Sequence, residues 1–196
     1  MQLNPVLPVD LPVVIVLAAG RGERFAASGA TVHKLQALLA GKPVLEHVLD
    51  AVRASGLPFH VVGPGASRLG MGDSIAAGVR ETLDRAGAAG WLVLPGDLPL
   101  IRSETLSAIA LAPSSAVTVP MYHGQHGHPV RFAASCGPEL LRLQGNNGAA
   151  PVLRAQAAMN LVAFMDVDDV GIVTDIDTLD DLARAESLLA QRQTSQ

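Results

Sequence analysis

Aromatic residues and cysteine are nearly absent from this chain. One Trp, one Tyr, four Phe and the single Cys136 stand among 196 residues. One thiol excludes an internal disulfide framework and a cysteine-rich metal site. Cys136 reads as a small buried hydrophobe. With so few rings, the core must be built from Ala, Val, Leu and Ile. Basic charge is also short: 14 Lys and Arg against 18 Asp and Glu leave a net charge of −4. That removes the electrostatic case for a nucleic-acid partner. Long apolar runs are missing too. The longest near the amino end, Leu11 to Gly20, is too short to cross a bilayer and contains Pro12. No Lys or Arg precedes Arg21, so the charged start of a signal peptide is lacking. The expectation is a cytoplasmic protein that meets neither membrane nor nucleic acid.

What is present suits a packed fold. Hydrophobic residues make up 49% of the chain, which excludes disorder for most of it. The length suits one domain, 1–196, with its core over about 13–190 and fraying ends at 1–11 and Gln191–Gln196. Val13 to Leu17 is apolar at every position and predicts a fully buried strand. Phe59–Val62, Trp91–Leu94, Val117–Pro120, Pro129–Phe132, Leu161–Asp166 and Ile172–Ile176 predict further strands.

Helices are predicted between them. Val44, Leu45, Val48, Leu49 and Val52 share one helical face, stopped by Gly56. Asp73 or Ser74 is a candidate N-cap for a helix whose apolar face is Ile75, Val79 and Leu83. Ser103 is expected to cap a short helix, and Gly145–Gly148 to turn into another. Thr178 to Asp181 reads as a capping box before the last helix. Ala26–Val32 and Tyr122–His128 read as irregular. This alternation predicts a mostly parallel sheet covered by helices on both faces, whose ligands bind beyond the carboxyl ends of its strands.

Two strand ends carry chemistry. After the first strand comes Leu17-Ala18-Ala19-Gly20-Arg21-Gly22-Glu23-Arg24-Phe25. Phe25 stands where a dinucleotide fingerprint needs its third glycine, and no Gly-Lys-Ser or Gly-Lys-Thr follows. What remains is a glycine turn with Arg21 and Arg24 able to fork onto phosphate oxygens, or a surface loop with solvated arginines. After the third strand, Gly96-Asp97-Leu98-Pro99 holds an acid on a stiff backbone. Asp97 suits Mg²⁺, which binds through one or two carboxylates plus substrate phosphates; it equally suits a turn-forming aspartate. Asp175 and Asp177, two apart, would share a side of an extended segment, although Asp177 could instead cap the last helix. Lys34 gains interest only if the fold sets it beside the arginines. His123, His126 and His128 lack a zinc-site partner and read as structural or substrate contacts.

Together these stretches, with His33-Lys34-Leu35, Gly41-Lys42-Pro43-Val44-Leu45, Gly70-Met71-Gly72-Asp73-Ser74-Ile75, Gly127-His128-Pro129-Val130 and Thr174-Asp175-Ile176-Asp177-Thr178, resemble the molybdenum cofactor nucleotidyltransferases. These belong to the MobA-like NTP transferase family, and the resemblance is strongest to its molybdopterin cytidylyltransferase branch. It runs over roughly residues 13 to 185. It implies a three-layer α/β/α, Rossmann-like sheet of the nucleotide-diphospho-sugar transferase type. The implied activity moves CMP from CTP to the phosphate of molybdopterin and releases pyrophosphate.

The resemblance also implies roles. Leu17, Ala18, Ala19, Gly20, Arg21, Gly22, Gly72 and Ser74 would hold the nucleotide. Arg24 and Lys34 would neutralise the triphosphate, and Asp97 with Asp175 or Asp177 would hold Mg²⁺. His128, Asn146 and Arg154 would face the acceptor, a phosphorylated pterin, and a molybdoenzyme would receive the product. Ala19 favours CTP, since guanylyl-transferring relatives look like Leu-Ala-Gly-Gly here. Two departures concern the acceptor. Gly145-Asn146-Asn147-Gly148-Ala149-Ala150 stands where the branch usually shows Gly-Asp-x-Gly-Ala-Arg, and Gly72-Asp73 stands where hydroxyl residues are common. Two other readings stay open: another phosphorylated acceptor or GTP as donor, and a non-catalytic carrier of molybdenum cofactor.

Overall fold

The computed structural model describes residues 11–63, 70–86, 89–113 and 115–194. The chain runs β1 (Val13–Leu17), α1 (Glu23–Ala27), β2 (Leu38–Leu39), β3 (Lys42–Pro43), α2 (Val44–Ala54), β4 (Phe59–Val62), α3 (Met71–Ala86) and β5 (Trp91–Pro95). It continues with α4 (Ser103–Ala110), β6 (Val117–Tyr122), β7 (Gln125–His126), β8 (Val130–Phe132), α5 (Gly137–Leu140), α6 (Ala150–Ala158), β9 (Val162–Asp166) and α7 (Leu179–Thr194).

The main sheet has β1 between β4 and β5, all parallel, with Ile15 opposite both His60 and Val93. β8 then lies antiparallel between β5 and β6, and β9 closes the far edge parallel to β6. Alternate residues of the strands feed two cores. Val13, Ile15, Trp91, Val93, Val117 and Val119 meet Ile75 and Val79 of α3 and Val152 of α6. Val14, Val16, Leu92 and Leu94 meet Val48 and Val52 of α2 and Leu106 and Ile109 of α4. Apolar residues on both strand faces demand cover on both, which gives the three-layer α/β/α arrangement. A third cluster, with Phe25, Leu35, Leu39, Ile176 and Ala185, packs the first loop against α7.

Several local expectations are corrected. Ile172–Ile176 is no strand: Val170–Val173 is a 3₁₀ turn, and 174–177 carries no regular structure. The buried Asp169 carboxylate accepts from Gly171 N at 3.0 Å and fastens that turn locally. Leu83 is 43% exposed, and Thr82 turns inward instead. Its hydroxyl donates to Gly78 O at 2.7 Å and accepts from the Trp91 indole at 2.9 Å, satisfying a polar group that the core would otherwise strand.

Helix α3 begins at Met71, so Asp73 and Ser74 lie inside its first turn rather than at its cap. Ser103 is likewise inside α4, where Asp169 accepts from Arg102 N at 3.0 Å. A short helix, α1, enters the segment read as irregular, and β6 returns through His123-Gly124 into β7. α7 continues through 191–194, where fraying was expected. Residues 1–10, 195 and 196 lie outside the described part. Thr178 caps α7 as expected, with Asp181 N donating to Thr178 Oγ1 at 3.2 Å. The Asp181 carboxylate reaches one residue further back than in a capping box and accepts from Asp177 N at 3.2 Å. Among the described residues no helix is long and apolar enough to cross a membrane.

Candidate active site

The site begins where β1 and β5 end side by side. Gly96 permits this closeness, because a Cβ there would stand 2.9 Å from Leu17 O. Gly96 N donates to that same carbonyl at 2.9 Å. Asp97 is thereby set next to the loop that leaves β1. That loop turns at Gly22, whose φ of 65° falls in the left-handed region that glycine enters without cost. His33 holds it from behind, with Nε2 2.8 Å from Gly20 O. The ring also packs where a side chain on Gly22 would project.

Its neighbour Lys34 points the other way. Lys34 Nζ donates to Asp97 Oδ2 at 2.6 Å and to Asp177 Oδ1 at 2.8 Å. The second Asp177 oxygen lies 2.6 Å from Arg24 NH1. Asp177 arrives here because Ile176 N donates to Asp97 O at 3.0 Å. Thr178 and Asp181 have taken over the capping of α7, so the Asp177 carboxylate is left for the cations.

The electrostatics follow from burial. Lys34 is 12% exposed and Asp97 17%. Burial pulls the Lys34 pKa down, but Asp97 and Asp177 more than offset this and hold it above the ordinary lysine value. Among the described residues no ion pair holds Asp175, whose carboxyl lies in hydrogen-bond contact with Asp177. Burial first, then the charges of Asp177 and Asp97, push its carboxyl above the ordinary range. The ring of His128 is crowded by the walls although it faces the open cleft. That crowding lowers its pKa, and the Asp97 charge opposes the shift.

These residues line one cleft of about 730 Å³. Leu17, Ala19, Gly20, Arg21, Gly22 and Arg24 form one wall, and Gly70, Met71, Ser74 and Asn146 another. Lys34, Asp97, Asp175 and Asp177 form the floor, with Gln125, His126 and His128 on the remaining side. Three residues expected at the site are not in its walls. Ala18 is 7% exposed and belongs to the core beneath the loop. Gly72 faces the backbone of Gln144, where a Cβ would stand 2.8 Å from Gln144 O. Arg154 is exposed on α6, away from the walls.

The glycines at 70 and 72 therefore answer first to packing. The start of α3 lies against 144–146, and Asp73 locks the pair by accepting from Gly145 N at 2.7 Å. Residues 144–146 carry no periodic signal toward 70–73, so sequence could not expose this contact. The placements of His33 and Gln125 were equally hidden, since each depends on a chain return, whereas His126, read as a structural or substrate contact, does line the cleft.

A divalent cation fits the floor. Among the described residues, no three acid, histidine or cysteine side chains already converge on one point. Asp97 Oδ1, however, is buried with no hydrogen-bond partner. A buried carboxylate oxygen with no donor is costly unless something cationic meets it. Asp175 and Asp177 stand beside it, and one or two carboxylates with substrate phosphates are what Mg²⁺ takes.

The chain is similar to several known proteins. Residues 14–160 match the model of the MobA-like NTP transferase domain. The chain is similar to the purine catabolism protein PucB of Bacillus subtilis (strain 168), 29% identical over 189 residues, covering 84% of this chain and 90% of that protein. It is also similar to the bifunctional protein GlmU of Chromohalobacter salexigens, 37% identical over 116 residues. That match covers 49% of this chain and only 24% of GlmU. Among solved structures, a nucleotidyl transferase from Methanothermobacter thermautotroptrophicus (Mth528) superposes with a TM-score of 0.76 at 23% identity. The superposition covers 94% of this chain and all of that one, a likeness of fold.

Proposed function

The chain belongs to the MobA-like NTP transferase family, a family of nucleotidyltransferases, and on that premise we propose that it is a cytidylyltransferase acting on molybdopterin. The acceptor's phosphate oxygen forms a bond to the α-phosphorus of CTP. The bond between the α- and β-phosphates breaks, and pyrophosphate leaves. A phosphate monoester is already a nucleophile, so no acid–base dyad is needed. Catalysis is then positioning and charge neutralisation.

The observation that carries the reading is Lys34, held between Asp97 and Asp177 at the joined ends of β1 and β5, beside the Gly20 loop. The loop from Leu17 to Gly22 offers backbone N–H groups to the nucleotide, and Ala19 favours cytosine. Arg24 and Lys34 now rest on carboxylates and would turn to the triphosphate oxygens when these enter. Asp97, with Asp175 or Asp177, would hold Mg²⁺, whose charge offsets that building on the phosphates. His128 and Asn146 would meet the acceptor. The likeness to a purine catabolism protein favours an enzyme of purine breakdown as recipient of the product.

The test is direct. Protein, CTP, Mg²⁺ and molybdenum-loaded molybdopterin should release pyrophosphate and yield a pterin–cytosine dinucleotide. Release with GTP alone would overturn the choice of base. Release only with sugar or alcohol phosphates would overturn the acceptor. Nucleotide binding with no release under any pairing would make the protein a carrier.

A further inference from the structure

Aromatic rings are scarce in this chain, and one of the few is spent on the surface. Of the four phenylalanines, Phe25 and Phe132 are each 1% exposed and Phe59 packs against the core, but Phe164 is 59% exposed. Phe164 sits on β9 opposite Val119, and His126 sits on β7 opposite Met121. Val119 and Met121 are two apart on β6, so both rings stand on the same face of the sheet. There they stack, with centroids 5.2 Å apart and planes 25° from parallel.

His126 belongs to the cleft wall, on the side away from the Gly20 loop, next to Gln125 and His128. An exposed stacked pair at the rim of a ligand cleft is a surface for another ring, since a π-face left open has more stacking to give. Met71, 52% exposed, and Asn146 line the same cleft. A thioether accommodates ring edges, and a carboxamide both donates and accepts hydrogen bonds. Such a set matches a flat heteroaromatic ring with polar edges better than a sugar, whose axial and equatorial hydroxyls need a fan of polar side chains.

We propose that His126 receives the flat ring of the acceptor and that Phe164 positions His126 by stacking behind it, so that this pair selects a planar heteroaromatic acceptor. The proposal rests on the acceptor reading above and names the residues that enforce it. The nucleotide, gripped at the opposite wall, does not depend on the pair.

Two measurements test it. The first is steady-state transfer with CTP and the molybdenum-loaded pterin. Phe164→Ala should raise KM for the pterin about tenfold, the scale of one lost stacking contact, with kcat and the KM for CTP unchanged. Phe164→Tyr should restore it, and His126→Ala should match Phe164→Ala. The second needs no turnover: titration of a fluorescent probe, 6-hydroxymethylpterin, whose emission a stacked ring quenches. The wild-type protein should quench it, and Phe164→Ala should weaken the binding about tenfold. An unchanged pterin KM in Phe164→Ala overturns the platform even if the transfer itself is confirmed. So does an equal rise in the KM for CTP, or an unquenched probe with the wild-type protein. Transfer to sugar phosphates alone overturns both readings, and the transfer assay on the wild-type protein separates the two failures. Since Phe164 is exposed, its variants should melt with the parent, and a thermal scan checks that they do.

Discussion

The two sides of the sheet are built on different terms. On one, β4, β1 and β5 run parallel, β1 and β5 almost wholly buried, and the candidate site hangs from the turns where these two end. On the other, the antiparallel β8 and the short β7 bend around β6, and β9 leaves Phe164 in the open. On the parallel side, backbone positions side chains: Gly96 fixes where Asp97 stands, and Asp97 O fixes Asp177 through Ile176 N. On the antiparallel side, the cleft is met by the exposed side chains of β7, the outer arm of its hairpin with β6. A rigid half suits a step common to many acceptors. A half made of exposed side chains can change its choice of acceptor without disturbing that step.

The sharpest way to break this contrast is Asp97→Ala. Loss of a buried charge partner on the parallel side should cut kcat by roughly a thousandfold, the upper range for removing one preorganised electrostatic contact. Lys34 retains Asp177, so the fold should persist, checked by circular dichroism beside the rate. A variant that kept most of its turnover would show that the chemistry is not seated at these strand ends.

Ala19→Gly tests the same side at smaller scale. It should shift the donor preference from CTP toward GTP by about tenfold, the order that one methyl group decides in a close-fitting pocket. Competition between the two nucleotides reads it. An unchanged ratio would move base choice elsewhere in the cleft.

The smallest effect concerns Asp175, the acid beside Asp177. The Asp175 carboxyl holds its proton more tightly in the folded chain than in the unfolded one. Its favourable contribution is complete below the unfolded value of 3.8 and vanishes as pH rises through the raised folded value. At neutral pH its charge therefore burdens the fold, discounted by its exposure to solvent. Asp175→Asn should raise the melting temperature by a degree or two at pH 7 and leave it unchanged near pH 3. Equal shifts at both pH values would remove the charge from the account.

Sequence disclosed the two sides unequally, for the same physical reason. A fully buried strand followed by glycine and a charge is a local signal, so Val13–Leu17 with Gly20 and Trp91–Pro95 with Asp97 could be read directly. Contacts between distant segments leave no such trace. Nothing near Asp73 announces Gly145, and nothing near His33 announces that its ring reaches Gly20 O. The segment at 172–176 misled because its apolar residues face a core without joining a ladder: Ile172 and Ile176 are buried, yet the chain there is fastened by Asp169 and by Asp97 O. Thr82 was overlooked because its burial depends on an indole nine residues later.

The bond between Lys34 and Asp177 joins residues 143 apart in the chain. Its consequence is one of timing. As the polypeptide leaves the ribosome, Arg24, Lys34 and Asp97 are all present long before Asp177, the carboxylate that Arg24 and Lys34 share, exists. Until residue 177 emerges, Lys34 and Arg24 have no Asp177 to rest on. The sheet can assemble in this interval, but the floor of the cleft cannot. Whatever order the strands take, the carboxylate that completes the floor is among the last groups delivered.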